Sequence, residues 1–485
     1  MNPLEEKFTG NRTTAFGPLP EDWEVVRLGE VTSLIRNGLV YKEKQIKSSK
    51  SILPITRIET ISDGVINFQK MGQVSGLSDP DIEKWRLRPG DILFSHINSL
   101  EHIGKVAIYE GKPEILIHGM NLLCIRPIKE KISSYFLFYW FIFARNRGVF
   151  KNMSKKAVNQ ASINQSEMKR LKLPLPPLPE QRRIAGVLLT VDEAIFKVEQ
   201  EIEHTERLKR GLMQHLLTRG IGHTRFKDSP LGSIPEDWKV VRLGDCTLTI
   251  KQMDPYDRER FWYIDISSID NSAHKIVNPQ QIEGKDAPSR ARKLVHADDV
   301  IFSTTRPYLK NIAIVPMELD GQICSTGFCI LRANREKVLP QWIYYYVTTN
   351  RFIRRIESKM RGATYPAVSD KDVYNEKIPL PPLPEQKRIA EILMTVDRKL
   401  ELLRQKKERL ERLKKGLMND LLTGRRRLKV GSDLPSPNPF HKGRGVYDSS
   451  HSMEVDGKAH LIDFMINEKN SSPLMGEDEG GGKEK

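Results

Sequence analysis

The chain has 485 residues, 39% of them hydrophobic, and a formal net charge of +16, which predicts two or more globular domains and a polyanionic partner such as nucleic acid or an anionic membrane surface. No apolar run approaches the roughly 18 residues of a spanning helix, no apolar signal segment opens the chain, and the cysteines are scattered, so we expect a protein of the reducing cytoplasm. The four cysteines lack CxxC spacing, which argues against a zinc site and a disulfide framework.

Each half of the chain opens with the same short segment. Residues 20–30 read PEDWEVVRLGE, and residues 235–245 read PEDWKVVRLGD. The VVRLG part predicts a short strand or the entry to a short helix. We interpret Trp23 and Trp238 as core anchors with a hydrogen-bonded indole, in preference to platforms on which bases stack.

The middle of each half predicts strands followed by a helix. Residues 87–95 (LRPGDILFS) and 295–303 (VHADDVIFS) each read as a polar turn before a buried strand. Aromatic stretches at 135–144 and 341–349 predict buried helices further on. The order of elements predicts an α+β domain in each half. The other strand-like runs are 105–109, 120–126, 311–315 and 327–332.

A small, polar and basic segment then follows in each half. Residues 154–163 read SKKAVNQASI, and residues 359–369 read KMRGATYPAVS. This composition suits a surface loop near phosphates. It suits a merely solvated basic loop equally well, so the sequence leaves both interpretations open.

The longest repeat begins at two proline runs. Residues 173–185 read LPLPPLPEQRRIA and residues 378–390 read IPLPPLPEQKRIA, and each leads to a GLMxxLLT ending. Pro179 and Pro384 suit the first turn of a helix. The first helix should span about 38 residues, or roughly 57 Å. Apolar positions recur at steps of four and three, at Ile184, Leu188, Val191, Ile195, Val198, Ile202 and Thr205, and in the same register from Ile389 to Leu410.

Two matched stripes in one chain favour two helices that pack together as a coiled coil. The alternative is an ordinary buried face on each helix. The middle of the first helix is acidic, with Glu199 and Glu206 among its residues, whereas that of the second is basic, with Arg404 and Lys406. Opposite charges beside the stripes favour pairing of the two different helices.

Together these motifs resemble the specificity (S) subunit of type I restriction–modification systems, over roughly residues 8–425. The resemblance implies an α+β protein with a pseudo-twofold internal repeat, in which two target recognition domains are separated by two long conserved helices packed as an antiparallel coiled coil. It divides the chain into target recognition domain 1 (1–173), a central helix (174–219), target recognition domain 2 (220–378) and a C-terminal helix (379–425). Composition predicts that residues 426–485 form a disordered tail.

The resemblance also implies a function without catalysis. Each domain would read one half of a bipartite site in double-stranded DNA, and the helices would set the spacing of the half-sites and dock two modification (M) subunits. Restriction (R) subunits would join to form the nuclease. No cofactor is expected on this chain, because S-adenosylmethionine, ATP and magnesium belong to the partner subunits in this family.

Motifs for catalysis are missing from the sequence. The closest matches to a methyltransferase NPPF or DPPY loop, at 437–440 and 253–256, lack the doubled proline, and no histidine spacing suggests a metal site. We therefore expect no catalytic and no metal-binding residue. The alternative is a single-chain methyltransferase or nuclease fusion with an unrecognised catalytic part, and methyl transfer by the purified chain alone would identify it.

Residues that read DNA should be Arg, Lys, Asn or Gln at base edges, with further basic residues on phosphates. Polar loops inside the two variable regions supply the candidates. Those of the first half are Arg36, Asn37, Lys155, Lys156, Asn159 and Gln160. Those of the second half are Arg306, Lys310, Arg361, Thr364 and Tyr365.

Overall fold

The computed structural model describes residues 11–14, 17–41, 52–62, 64–157, 160–362, 364 and 366–428. The chain divides into two compact units, the first formed by Met1–Val198 with Lys406–Lys485 and the second by Glu199–Gln405. Each unit therefore takes part of both long helices. The predicted tail from residue 429 onward lies outside the described residues.

The first unit combines short strands with four short helices among its described residues. Its helices before the long one are α1 (Asp79–Trp85), α2 (Ser134–Asn146), α3 (Val149–Met153) and α4 (Gln165–Arg170). Its strands are β1 (Asn11–Thr14), β2 (Gly17–Pro20), β3 (Glu24–Arg27), β4 (Thr32–Asn37), β5 (Ile52–Ile55), β6 (Ile61–Ser62), β7 (Val65–Ile66), β8 (Gly72–Ser75), β9 (Ile92–Phe94), β10 (Ile97–Asn98), β11 (Val106–Ile108), β12 (Leu123–Pro127), β13 (Lys155–Ala157), β14 (Gln160–Ser162) and β15 (Lys172–Leu175).

The core of the first unit lies between α2 and an antiparallel sheet of strand order β11-β9-β12-β4. Helix α2 is apolar on nearly every face, and a helix of this kind must be buried all round. Phe136, Tyr139 and Phe141 are each fully buried. The buried aromatic helix predicted at 135–144 is thus confirmed. Within the described residues, no helix is both long and apolar enough to cross a membrane.

The second unit repeats this plan. Its strands are β16 (Phe226–Lys227), β17 (Ile234–Pro235), β18 (Lys239–Arg242), β19 (Arg260–Ile264), β20 (Ile269–Asp270), β21 (Lys275–Ile276), β22 (Gln280–Glu283), β23 (Ala291–Leu294), β24 (Val300–Ser303), β25 (Ile312–Ile314), β26 (Ile323–Ser325), β27 (Phe328–Leu331) and β28 (Lys377–Leu380). Its short helices are α6 (Pro340–Val347), α7 (Asn350–Glu357) and α8 (Asp370–Tyr374). Strand order β25-β24-β27 corresponds to β11-β9-β12. The sheet β22-β19-β26-β23 corresponds to the pair β8-β5, because Ile55 of β5 bridges Ile117 in parallel and Arg86 bridges Ile117 antiparallel.

The repeated markers at the two ends of each half meet in space. Strand β3, which follows Trp23, pairs antiparallel with β15, so that Val26 lies opposite Leu173. Strand β18 pairs with β28 in the same way, with Val241 opposite Ile378. The short strand predicted for VVRLG is confirmed, and a 3₁₀ turn follows it in both units. Each variable region therefore begins and ends at a strand pair that both units share, β3 with β15 and β18 with β28. We call these strand pairs, with the long helices that follow them, the frame.

The two long helices are α5 (Leu178–Arg219, 42 residues) and α9 (Leu383–Leu421, 39 residues). The predicted stripe is buried or half-buried along both, from Ile184 to Thr205 and from Ile389 to Leu410. Asp192 pairs with Lys414 in the first unit, and Lys209 with Asp397 in the second, each at 2.6 Å. Since partner numbers fall on one helix as they rise on the other, the helices are antiparallel.

Candidate nucleic-acid interface

Three first-half candidates, Lys155, Lys156 and Gln160, lie on the paired strands β13 and β14, which form a hairpin. The hairpin adds to β10, so that Ser162 lies opposite both Lys155 and Ile97. The Lys155 side chain is 75% exposed and lies 3.7 Å from Glu167. Asn159 is outside the described residues, and for Lys156 and Gln160 the structure describes the strand alone. The segment predicted as a basic loop is thus a hairpin on a three-stranded sheet.

The second unit places its basic segment in the same way. The amide of Val368 donates to the Thr304 carbonyl at 2.9 Å, just as the amide of Ile163 donates to the His96 carbonyl at 2.9 Å. Ala367 bridges both Thr305 and Arg361. Two candidates that are far apart in sequence, Arg306 and Arg361, are thereby brought to one place. Thr364, which is exposed, lies in the same segment, and Tyr365 is outside the described residues.

Arg36 and Asn37 lie elsewhere in the first unit, at the end of β4. The Arg36 guanidinium stacks on Trp85, 4.6 Å from the ring centroid, and donates to the Lys84 carbonyl. Such a stacked arginine packs as well as carries charge. Asn37 is exposed at the end of the strand. These two candidates therefore do not lie on the hairpin strands that carry Lys155, Lys156 and Gln160.

Lys310 is held inside its own unit. Its ammonium donates to the Thr348 carbonyl at 3.1 Å and to Asn350 Oδ1 at 2.6 Å, next to the end of α6. A cation at this end of a helix is favourable because the last carbonyls point toward it. Burial lowers the pKa of Lys310. Its charge is already used within the protein, although it remains a predicted DNA contact.

Arg361 differs from Lys310 in being open to solvent. Its side chain is 74% exposed and lies 3.4 Å from Asp372. Exposed ion pairs of this kind contribute about 0–1 kcal/mol, because water and salt screen them. A phosphate group can therefore replace the carboxylate of Asp372, or of Glu167 beside Lys155, at little cost.

Each proline run leads to a glutamate that is hydrogen-bonded to the repeated tryptophan, an arrangement that we call the clamp and that the sequence did not predict. The Trp23 indole donates to Glu180 at 3.2 Å, and the Trp238 indole donates to Glu385 at 2.9 Å. Both tryptophans are buried, so the prediction of core anchors is confirmed. The glutamate of the EQ pair at the start of each long helix makes this bond. The signal available in the sequence was that both EQ and PEDW recur unchanged in the two halves.

The glutamine after each clamp glutamate is equally engaged. Gln181 accepts from the Ser133 amide and donates to the carbonyls of Lys131 and Pro176. Gln386 makes the three equivalent bonds with Leu339, Lys337 and Pro381. Both side chains are fully buried, and in each of them the amide oxygen and the amide nitrogen are both hydrogen-bonded. These bonds fix each aromatic helix against the start of a long helix.

The clamps are completed by the chain that leaves the other long helix. After α9, Gly424 (φ +70°) turns the chain, and Arg427 binds both Glu180 and Asp22. After α5, Gly220 (φ +66°) does the same, and His223 lies 2.8 Å from Glu385. Left-handed glycine is the usual helix C-terminal residue. The hydrogen bond to Glu180 raises the pKa of Arg427. Arg427 was assigned to the predicted tail, whereas the structure places it in the clamp.

The described residues contain no group of three or more His, Cys, Asp or Glu side chains arranged to hold a metal ion. Burial raises the pKa of the thiols of Cys324 and Cys329, which makes them poor nucleophiles. A cavity of about 300 Å³ is lined by Lys293, Asp370 and Tyr374, and the Lys293 ammonium is bonded to Asp370 and to the Phe328 carbonyl. This lysine is therefore occupied by structural bonds.

Comparison with known proteins gives a consistent family. The model for the type I restriction modification DNA specificity domain matches residues 20–206 and again 235–412. A putative type I restriction enzyme specificity subunit of Methanocaldococcus jannaschii, MjaX, is 42% identical over 434 residues, which cover 88% of this chain and 98% of the relative. The MjaVIII specificity subunit of the same organism is 29% identical over 431 residues, covering 85% and 94%.

Solved structures share the fold. The S subunit of a type I restriction–modification system from M. genitalium matches with a TM-score of 0.52 at 16% identity, covering 82% of this chain and 96% of that one. A chain from a study of assembly and conformational transition in a type I R-M system matches with a TM-score of 0.50 at 21% identity, covering 84% and 99%. At these identities the likeness concerns the fold alone.

Proposed function

The chain belongs to the type I restriction–modification DNA specificity family, and we propose that each of its two units reads one half of a bipartite DNA site. The chain is a specificity subunit with two target recognition domains. Specificity subunits are the non-catalytic members of these systems, whose catalysis resides on other subunits. This assignment replaces the alternative of a methyltransferase or nuclease fusion.

One observation supports DNA reading most directly. Equivalent backbone bonds, Ile163 to His96 and Val368 to Thr304, hold a basic segment in the same place in both units. The side chains on these segments differ, with KKAVNQ in one and RGATYP in the other. Because base edges are read by side chains, two readers of different sequences need a shared frame with different side chains on it.

The test is methylation mapping of the complex formed by co-expression with the cognate modification subunits. Lys156→Ala should weaken reading of one half-site, and Arg361→Ala should weaken reading of the other. Arg335→Ala is a matched control, because this side chain is 67% exposed and pairs with Asp298 much as Arg361 pairs with Asp372. Equal loss at both half-sites in either variant would contradict the assignment.

We also propose that α5 and α9 set the spacing between the half-sites. Two helices joined by ion pairs and a buried stripe resist bending, and a helix of 42 residues measures about 63 Å. Inserting seven residues into both helices keeps their faces in register and adds about 10 Å. We expect the unread spacer to lengthen by about three base pairs. A mapped spacer of unchanged length would overturn this role.

The long helices further supply a surface for the modification subunits, and the restriction subunits would join the resulting complex. Met394 and Leu402 on α9 are 48% and 57% exposed, and Leu208 on α5 is 49% exposed. These side chains are therefore our candidates for the contact, and Leu402 is the most exposed of them. Leu402→Lys should reduce co-purification of the modification subunit while the melting temperature stays the same. Undiminished co-purification would exclude this face.

A further inference from the structure

We propose that residues 306–310 of the second unit, the RPYLK turn, present Tyr308 and Leu309 as a rigid apolar tip that contacts base pairs of one half-site. This inference rests on the proposed DNA-reading function and names side chains for it. It moves the sequence-specific contact from the charged residues of the turn to the two apolar residues between them.

The backbone of the RPYLK turn is strained at both ends. A 3₁₀ turn covers Pro307–Leu309, and the residues on either side, Arg306 (φ 48°, ψ 58°) and Lys310 (φ 53°, ψ 41°), are both left-handed. Non-glycine residues adopt this conformation at a cost, and they keep it where the surrounding structure holds them. Residues of this kind cluster at functional sites. Two within five residues define a loop that is built for a particular shape.

Hydrogen bonds hold this shape from three directions. The Arg306 amide donates to the Pro366 carbonyl at 2.9 Å, which ties the turn to the basic segment. Asn271 Nδ2 donates to the Leu309 carbonyl at 3.0 Å. The Lys310 ammonium holds the turn to the end of α6 through Thr348 and Asn350. Lys310 is therefore a positioning residue, whose charge fixes the tip in place of binding a phosphate.

The anchored turn leaves its two largest apolar side chains in solvent. Tyr308 is 43% exposed and Leu309 is 41% exposed, whereas Pro307 between them and Arg306 is buried. Because the backbone is already ordered, binding through these side chains costs little further conformational entropy. Apolar side chains contact the methyl group of thymine in the major groove or enter between base steps.

The basic residues around the tip favour DNA as the molecule that it contacts. Helix α7 packs against the turn and adds the exposed Arg354, and Arg361 lies exposed on the bridged segment. Apolar side chains within a basic surface match base pairs between phosphates. A protein partner covering the same tip is the alternative, and the experiment below separates the two.

The experiment uses the full complex with its modification subunits and a duplex library with two randomised windows. Bound duplexes are sequenced, and binding of the enriched duplex is titrated with salt. Tyr308→Ser/Leu309→Ser should lower discrimination in one half-site about tenfold, leave the other half-site intact and keep the salt slope. Arg361→Ala should instead lower the salt slope by about one and weaken binding to this half-site whatever its sequence, while the other half-site stays readable. Met317→Ser is the control, since Met317 is 74% exposed in the same unit.

Several results would overturn the proposal. Unchanged discrimination in the double variant, at an unchanged melting temperature, would remove the tip from the reading surface. Loss of the modification subunits with discrimination intact would make the tip a protein contact. If the double variant does not fold, Tyr308→Ser alone must lower discrimination. A wild-type complex that enriches no split site would refute the proposed function itself, and the inference with it.

Discussion

The loop that follows the buried strand differs between the two units, although the strand itself is equivalent. In the first unit it covers residues 96–104, and β10 within it pairs with the hairpin. In the second unit it covers residues 304–310, is two residues shorter, and turns sharply at Arg306 after a single bridge. Equivalent hydrogen bonds, Ser95 to Lys105 and Ser303 to Asn311, close both loops. The two units can therefore carry different loop tips, because the hydrogen bond at the base of each loop does not depend on the residues of the tip.

The clamps of the two units have the same arrangement but hold their glutamates with different partners. Each clamp glutamate accepts from a tryptophan indole and from a residue that follows the other long helix. In the first unit that residue is Arg427, which is always charged, and in the second it is His223. Glu385 has an additional donor, the Ile221 amide at 3.0 Å. The first clamp therefore depends on one arginine, whereas in the second the carboxylate of Glu385 also accepts from a backbone amide.

Removing the cation of the first clamp should have the largest effect. Arg427→Ala leaves Glu180, which is 4% exposed, with one indole partner, and loss of one member of a buried pair costs about 3 kcal/mol. His223→Ala should cost about 1 kcal/mol, because Glu385 keeps two donors. Urea unfolding at pH 7 measures both free energies.

The neighbouring Arg426 provides the control for that comparison. Its side chain is 57% exposed and lies 3.9 Å from Asp420, so Arg426→Ala should change the free energy of unfolding by less than about 0.5 kcal/mol. Equal losses for Arg427→Ala and His223→Ala would mean that the two clamps do not differ in the proposed way.

The clamps also mark the limit of what the sequence could predict. The helices and the buried stripe followed from repeated spacing, because periodicity determines which face of an element is buried. The antiparallel order of the two helices followed from the family resemblance, and the core tryptophans from the usual burial of this side chain. The pairing of Glu180 with Arg427 did not follow, because it joins residues 247 positions apart and composition placed Arg427 in a tail. Long-range ion pairs leave no periodic trace in one sequence.

The candidate reading residues were predictable as segments and not as individual side chains. Basic composition identified the regions around 155–160 and 361–365, and the structure holds them equivalently. Composition alone could not distinguish the exposed Arg361 from Lys310, whose ammonium is hydrogen-bonded within the protein. Tyr308 and Leu309 were passed over because an exposed apolar pair looks, in sequence, like two core residues.

Acid should destabilise the first unit more than the second, because the variable region of the first buries two histidines. In the second unit burial lowers the pKa of one histidine, His274. Burial lowers the pKa of His96 and of His118 to about 4. The unfolded chain, with a histidine pKa near 6.5, then takes up protons first as the pH falls. Stability is lost between about pH 6.5 and 4, by about 2 kcal/mol per histidine at pH 5.

His118→Gln should remove one histidine's share of this pH dependence while keeping a donor for the Leu122 carbonyl, which the imidazole contacts at 2.9 Å. The exposed His102 supplies the matched variant, His102→Gln, for which the curve of unfolding free energy against pH should coincide with that of the wild type. A His118→Gln curve with the wild-type slope would show that this imidazole does not control the loss.

A smaller contrast is expected at the aspartates that join the long helices. Tyr139 donates to Asp192 at 2.7 Å and Tyr345 donates to Asp397 at 2.8 Å, and each aspartate also pairs with a lysine. Asp192 is 10% exposed in its side chain, whereas Asp397 is 32% exposed. Asp192→Asn should cost about 1.5 kcal/mol and Asp397→Asn about 0.5 kcal/mol, because solvent screens the latter. Thermal melting of the two variants ranks them, and the reverse ranking would refute burial as the cause.

The smallest contrast concerns two lysines that the sequence placed in one class. Lys310→Ala removes two hydrogen bonds beneath the RPYLK turn and should lower the free energy of unfolding by about 1 kcal/mol. Lys155→Ala removes an exposed ion pair at 3.7 Å and should leave that free energy unchanged. In DNA binding the two should separate again: Lys155→Ala should reduce the salt slope, whereas Lys310→Ala should reduce discrimination through the displaced turn and leave the slope intact. If Lys310→Ala lowers the salt slope while stability is unchanged, its ammonium contacts phosphate in the complex, and the internal bonds are those of the free protein alone.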